Sequence, residues 1–225
     1  MAFSKKTIEF LSDINANNNR DWFSKNKDRY ETSVRTPSLE LITDLADTFQ
    51  KVSPYFVPVA KKTGGSLMRI YRDTRFAKDK TPYKTNIGIQ IRHQFGKNVH
   101  APGYYLHISS DDCFLGMGIW RPEGPVLQRI RSTIDSQPDQ WKKAKNGKKF
   151  RQRFTLTGTQ LKTAPRNFAK THPLIEDLKR KDFIATCPLN RMEFMQPNFP
   201  ALMIDHFQTG KAWMRFLCDA LLIPF

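Results

Sequence analysis

Apolar residues at helical spacing open the chain. Ser4 precedes Ile8, Leu11 and Ile14, and Phe3 stands where a staple onto Ile8 belongs, so a capped amphipathic helix is expected from Ser4. Asn17-Asn18-Asn19 breaks that pattern, and Asn19 is placed to cap a second helix carrying Trp22, Phe23, Tyr30 and Val34. Thr36-Pro37 offers a cap and a first-turn proline for a third helix through Leu39, Ile42, Leu45, Ala46 and Phe49. From Leu67 the period changes to two. Met68 and Ile70, then Ile87, Ile89 and Ile91, then Tyr104, Leu106 and Ile108, then Cys113, Leu115, Met117 and Ile119 alternate with smaller or more polar residues. This predicts a mostly antiparallel sheet with one face on a core, and Ser110-Asp111-Asp112 reads as a tight link between two of its strands.

After Trp120-Arg121-Pro122 the helical period returns through Val126, Leu127, Ile130 and Ile134, and Pro138 ends or restarts that helix. Asp182 to Cys187 reads as one more strand, and Gly210 to Leu222 as a closing helix through Trp213, Phe216, Leu217, Ala220 and Leu221. Neither a Ser/Gly-rich linker nor an internal repeat divides the chain. The expected architecture is a single α+β domain, a mostly antiparallel sheet with helices packed on one face: a helical part over 1–53, the sheet over 66–120 and a mixed, mainly helical part over 123–225.

Composition narrows the class. With 225 residues, 12% aromatic content and 17 Phe, the chain carries far too much apolar bulk for a disordered protein. It contains no apolar run long enough to span a membrane, and Glu9 and Asp13 interrupt the first apolar stretch, so a cytoplasmic protein without membrane contact is expected. Cys113, Cys187 and Cys218 are too scattered for a zinc knuckle or a redox dithiol and read as buried apolar residues. His93, His100 and His107 recur every seven residues, and 93 and 107 could neighbour one another in strands, but no carboxylate completes a ligand set. No metal and no cofactor are expected. The chain also lacks a Gly-x-Ser-x-Gly elbow and a phosphate-binding glycine loop, since Gly64-Gly65 has neither spacing.

The net charge of +16 points to anionic partners. Between Arg69 and Lys84 the chain packs six cations, Arg69, Arg72, Arg75, Lys78, Lys80 and Lys84, against Asp73 and Asp79, with Phe76, Pro82 and Tyr83 among them. If Met68 and Ile70 face the core with Ile89 and Leu106, period two turns Arg69, Tyr71 and Asp73 onto one surface with Gln90, Arg92, Tyr105 and His107. Forked guanidinium contacts could hold a phosphate there while Tyr or Phe offers a ring to stack on. The expected function is therefore binding of a phosphorylated or otherwise anionic ligand, a nucleotide or nucleic acid, with Arg69, Arg72, Arg75, Lys80, Tyr83, Lys84, Arg92 and Tyr105 as binding residues. The alternative is an enzyme acting on a phosphate-containing substrate, with His107 or Asp73 moving the proton and the arginines stabilising negative charge. The run from Lys142 to Arg153 holds seven cations and no acid, a solvated face or a second contact for nucleic acid. Gly116 and Gly118 flank Met117 and would leave a floor for Trp120 to cover.

Several of these segments together resemble a known family. Asn18-Asn19 with Trp22-Phe23, the run Arg69 to Lys84, Gly116-Met117-Gly118-Ile119-Trp120, and Lys179-Arg180-Lys181-Asp182-Phe183 after His172-Pro173 look like domain-of-unknown-function family 2461. Arg72-Asp73-Arg75-Phe76 followed by Asp79-Lys80 and Pro82-Tyr83-Lys84 is the most specific part. The resemblance runs from Phe3 to about Leu222 and implies a single cytoplasmic domain found in bacteria and fungi, with no reaction attached to it.

Overall fold

The structure, a computed structural model, describes residues 3–96 and 101–225. Helix α1 (Lys5–Ala16) starts at Ser4, whose backbone N–H donates to the Thr7 hydroxyl at 3.1 Å. Asn19 caps α2 (Arg20–Lys25) by accepting from the Trp22 N–H at 2.9 Å, as its position predicts. Helix α3 (Lys27–Tyr30) then passes through a π-helical turn, Glu31–Arg35, straight into α4 (Thr36–Thr48). This corrects the expected fresh start at Thr36-Pro37. Proline has no N–H to give and its ring displaces the carbonyl four residues back, here that of Ser33, and the wider π turn absorbs the misfit. The freed Ser33 carbonyl accepts the Thr7 hydroxyl of α1 at 2.8 Å, so the proline defect becomes a tie between two helices.

Strands β1 (Phe56–Val57), β2 (Asn86–His93), β3 (Gly103–Ser109), β4 (Cys113–Ile119), β5 (Thr155–Thr157) and β6 (Phe183–Pro188) form one sheet in the order β1-β2-β3-β4-β6-β5. Every neighbouring pair is antiparallel. At the β3–β4 turn the Ser109 hydroxyl accepts the N–H groups of Asp111 at 3.1 Å and Asp112 at 2.9 Å, the side-chain-stabilised link that Ser110-Asp111-Asp112 predicts. The chain continues in α5 (Gly124–Ser136), α6 (Pro138–Asn146), α7 (Lys148–Arg153), α8 (Ile175–Leu178), α9 (Arg191–Phe194), α10 (Phe199–Thr209) and α11 (Lys211–Ala220). The fold is α+β, as the change of period predicts.

Alternation divides the sheet into two unlike faces. Ile87, Ile89, Ile91, Tyr104, Leu106, Ile108, Leu115, Met117, Phe183 and Ala185 are buried in one core with Phe10, Leu45, Phe207 and Trp213 of the helices. Tyr104 meets Phe207 at 4.8 Å and Phe49 at 5.1 Å between ring centroids, locking α10 and the end of α4 to the middle strand. His93 lies on this core side too, its Nε2 within 2.9 Å of the Pro224 carbonyl. It is thereby on the opposite face from His107, so the two cannot share a ligand; His100 lies outside the described residues. The three cysteines are buried free thiols, and burial pushes Cys187 up to about 11 and Cys218 up to about 12. Among the described residues no helix is long and apolar enough to cross a membrane, and no group of three metal-ligating side chains forms.

Candidate functional site

The second sheet face carries Asn86, Gly88, Gln90 and Arg92 of β2, Gly103, Tyr105 and His107 of β3, and Phe114, Gly116 and Gly118 of β4. Gln90 pairs with Tyr105, Gly88 with His107, Tyr105 with Gly116, and Gly103 with Gly118, so Gln90, Arg92, Tyr105 and His107 do share a surface. A Cβ added to Gly103 or Gly116 would meet as its nearest neighbours only Ile91, Gln90, Tyr105 and Phe114, all of the sheet itself. This face is a platform of side chains: Gly88 and Gly116 are buried among Met68, Tyr105 and Phe114, and the half-buried Tyr105, His107 and Phe114 with the exposed Arg92 form what it presents. The expected cover by Trp120 is not what the structure shows. Trp120 is 67% exposed at the end of β4, with the Arg121 guanidinium 4.6 Å from its ring centroid.

The phase expected for the segment from Met68 to Asp73 is also corrected. Leu67 bridges to Ile89 on the core face, and the Met68 sulfur lies on the other side, 2.9 Å from where a Gly88 Cβ would stand. Period two then gives the open face to Met68 and Ile70 and sends Arg69 and Tyr71 the other way. Arg69 and His107 therefore do not form one constellation. Tyr71 is turned toward the N-terminal helices, where it contacts Phe23 at 6.4 Å and Tyr83 at 5.5 Å.

Residues 70–84 form a hairpin, closed by Lys84 N–H to the Ile70 carbonyl at 2.7 Å and Arg72 N–H to the Pro82 carbonyl at 2.9 Å. Its root is fixed from a distance. The Asn18 side-chain amide donates to the Tyr83 carbonyl at 2.9 Å and accepts the Tyr83 N–H at 3.0 Å, while the Tyr83 ring stacks on Phe23 at 4.2 Å. Tyr83 is buried by this arrangement and offers no face to a ligand.

Most of the hairpin's charge is spent internally. Arg72 donates to Asp79 Oδ2 at 2.5 Å and to the Thr81 hydroxyl. The Thr81 N–H and hydroxyl and the Arg72 guanidinium together hold the Asp79 carboxyl down at about 2. Arg75 grips Asp73 with both arms of its fork, Nε to Oδ1 at 3.0 Å and Nη2 to Oδ2 at 2.7 Å, which holds Asp73 at about 2. So low a carboxylate is a poor proton acceptor, and Asp73 is not among the partners of His107. Lys80 caps the loop by donating to the Thr74 carbonyl at 2.9 Å.

Lys84 stands apart from this network, whereas Arg69 joins Arg75 in holding the Asp73 carboxyl down. Neither has a carboxylate within ion-pair distance among the described residues, and burial first, then the Arg69 charge, pushes the half-buried Lys84 ammonium down. Lys84 precedes Asn86 by two and so stands at the edge of the open face, next to its polar cluster. There, His107 Nδ1 lies 3.4 Å from both the Asn86 amide nitrogen and the Tyr105 hydroxyl. Its Nε2 lies 3.3 Å from Asp112 Oδ1, and its ring stacks on Phe114 at 4.7 Å. Burial pushes His107 down against the pull of Asp112, and burial pushes Tyr105 up against the hydrogen bond from Asn86. Asn86 and Phe114 carry no signal in the sequence, and Asp112 and Asn18 are legible there as a turn residue and as part of the break after the first helix but not as site residues; the register and long-range contacts bring them in.

The basic run from Lys142 to Arg153 is partly neutralised from elsewhere in the chain. Lys145 meets the buried Asp177 at 2.5 Å, Arg153 meets Asp205 at 2.7 Å and Lys142 meets Asp139 at 3.4 Å. Two shallow depressions, about 340 Å³ beside Thr36 and Asp44 and about 420 Å³ beside Lys148 and Arg151, both lie away from the platform.

Comparison with curated proteins and with solved structures found no match. The family described as a conserved hypothetical protein, DUF2461, matches residues 6–216. That span takes in the N-terminal helices, the hairpin, the sheet and the closing helix, so the chain belongs to the DUF2461 family.

Proposed function

We propose that this protein binds a phosphorylated ligand of the nucleotide or nucleic-acid class at the edge of the open sheet face, with Lys84 as its phosphate contact. One observation carries this reading. In a hairpin where Arg72, Arg75 and Lys80 are each satisfied internally and the Arg69 charge acts on Asp73, the half-buried Lys84 has no carboxylate within ion-pair distance among the described residues. Burial and the like charge of Arg69 disfavour the ammonium of the empty site, and a bound phosphate supplies the missing counter-charge while accepting charge-assisted hydrogen bonds. Arg92 on the same face and His107 beside Asn86 add donors along the strands.

Arg72, Arg75 and Lys80 shape the hairpin in this reading and leave the ligand to others. Calorimetric titration with thymidine 5′-diphosphate at about 50 mM salt tests it, since electrostatic contacts are least screened there. Lys84→Gln should weaken binding by roughly 1.5 to 3 kcal/mol, the worth of a hydrogen bond to a charged group. Arg75→Ala should leave affinity unchanged. Equal losses in both variants, or no binding by the unaltered protein, would remove the assignment.

A second reading rests on the chain Asp112, His107 and Tyr105. A carboxylate on one imidazole nitrogen and a phenol on the other is a geometry that passes protons, so His107 is the proton-transfer group if the bound phosphate ester is a substrate. Release of inorganic phosphate from a nucleotide that is abolished in His107→Gln, with binding retained, is the result this reading requires.

A further inference from the structure

Two segments with no part in the phosphate site meet at the far end of the platform. Asp182, 2% exposed, accepts the Arg121 N–H at 2.8 Å, and its other oxygen accepts the Thr159 N–H at 2.9 Å and the Thr159 hydroxyl at 2.7 Å. Its carboxylate holds Arg121 in the left-handed region at φ 49°, a conformation that costs a residue with a Cβ of order 1–3 kcal/mol. Next to it Gly118 has φ 123°, and a Cβ there would lie 2.0 Å from the Phe183 carbonyl oxygen. A buried carboxylate, a strained arginine and a glycine-only position thus converge on one turn. What the turn presents is Trp120, 67% exposed with only one ring face taken by Arg121. Trp and Arg together at a rigid exposed point are the residue types that dominate recognition surfaces.

The register fixes where this turn lies relative to the phosphate site. Lys84, Asn86, His107 and Asp112 stand at one end of β2–β4, and Arg92, Gly103, Gly118 and Trp120 at the other, since Arg92 pairs with Gly103 and Gly103 with Gly118. Seven residues of β3 separate the ends, about 20 Å at strand rise. Between them lie Gly103, Tyr105 and Phe114, with Gly88 and Gly116 buried among Met68, Tyr105 and Phe114. The track has cations at both ends, and aromatic rings in the middle and at the far end. That is too long for one nucleotide, and its rings are of use only to bases that are not already paired.

We infer that the open sheet face binds single-stranded nucleic acid along the strand direction, with a phosphate at Lys84 and an unpaired base stacked on Trp120. This rests on the phosphate reading above and adds a second, remote contact to it.

The test compares thymidine 5′-diphosphate, a ten-residue deoxythymidine oligonucleotide and a ten-base-pair duplex by fluorescence anisotropy and calorimetry at about 50 mM salt. The decamer should bind at least tenfold more tightly than the diphosphate and the duplex. Trp120→Ala should weaken the decamer about fivefold or more, the loss of one stacked base, and leave the diphosphate unchanged. Trp120→Phe should restore most of the difference. A decamer no tighter than the diphosphate, or one indifferent to Trp120→Ala, overturns the inference and leaves the phosphate site standing. A duplex that binds as well as the decamer overturns it too. Failure of all three probes overturns both readings.

Discussion

Replacing Asn18 with Ala removes the contact that fixes the hairpin to the helical layer, and the structure sets the size of the loss. Asn18 makes two hydrogen bonds to the backbone of Tyr83, 65 residues away, and no other side chain is positioned to take them over. A neutral hydrogen bond contributes about 1 kcal/mol, and a partly buried backbone group left without a partner costs about as much again. The Tyr83 ring keeps its stack on Phe23, so the hairpin loosens without detaching. The expected destabilisation is about 2–3 kcal/mol, a fall of roughly 5–10 °C in melting temperature for a chain of this length. Urea unfolding followed by circular dichroism measures it, with an unchanged slope as the sign that the native state is still compact. Hydrogen exchange should also rise at the Tyr83 and Lys84 amides more than at those of β3. If Asn18→Ala lowers stability by less than about 0.5 kcal/mol, the surface-substitution range, then the amide is an ornament of the hairpin and not its clamp.

Asp182→Ala should cost about 3 kcal/mol or more in chemical unfolding, because it orphans the Arg121 N–H and both Thr159 donors at a buried position. Lys145→Gln leaves the carboxylate of Asp177 buried with only a distant arginine and should cost about 2–3 kcal/mol, whereas Lys148→Gln on an exposed face should stay within about 0.5 kcal/mol. His107 sits below its ordinary value of 6.5 in the folded protein because burial opposes its charge. The folded state therefore binds fewer protons than the unfolded one as pH falls: the contribution is fully present above 6.5 and is lost as pH drops through the lower folded value. The stability of the unaltered protein should decline across that window, and His107→Gln should flatten the decline; parallel curves for the two proteins would refute the assignment.

The strands from β2 to β4 are legible in the sequence because their core positions are aliphatic and their alternate positions are not. Ile87, Ile89 and Ile91 admit one phase only. At Leu67-Met68-Arg69-Ile70 the pattern is ambiguous, since Leu67 supports one phase while Met68 and Ile70 support the other. The ladder decides it, through the Leu67–Ile89 bridge, and that one-residue difference moves Arg69 to the far side of the sheet from His107. Thr36-Pro37 looks like a helix start for the same local reason, and only the Thr7 hydroxyl from another helix shows why the proline is tolerated in the interior. Asn17-Asn18-Asn19 reads as capping, which is correct for Asn19 and silent on Asn18, whose partner lies beyond any local window. The run 199–209 escapes the period because its first six residues, Phe199 to Ile204, are all apolar or proline, and only Asp205 and Gln208 in its second half mark the exposed face.

Charge counting over the hairpin treats its six cations as one binding surface, and the structure divides them by what each already touches. A guanidinium committed to a carboxylate at 2.5–3.0 Å must give up that bond before it can hold a ligand, so its contribution to affinity is a difference between two good interactions and lies near zero. An ammonium without a carboxylate partner has the opposite bookkeeping. The partial burial of Lys84 and the like charge of Arg69 already oppose its protonation in the empty protein, visible as the downward push on the Lys84 ammonium. Phosphate binding cancels both, so Lys84 should take up protons more readily in the complex than in the free protein. In alkaline buffer, where Lys84 of the free protein begins to lose its charge, binding must then be accompanied by proton uptake. Heats of binding measured in two buffers of different ionisation enthalpy should diverge in proportion to that uptake, and Lys84→Gln should make them coincide. Heats that already coincide in the unaltered protein would mean that the phosphate is held elsewhere, whatever the charge count of the hairpin.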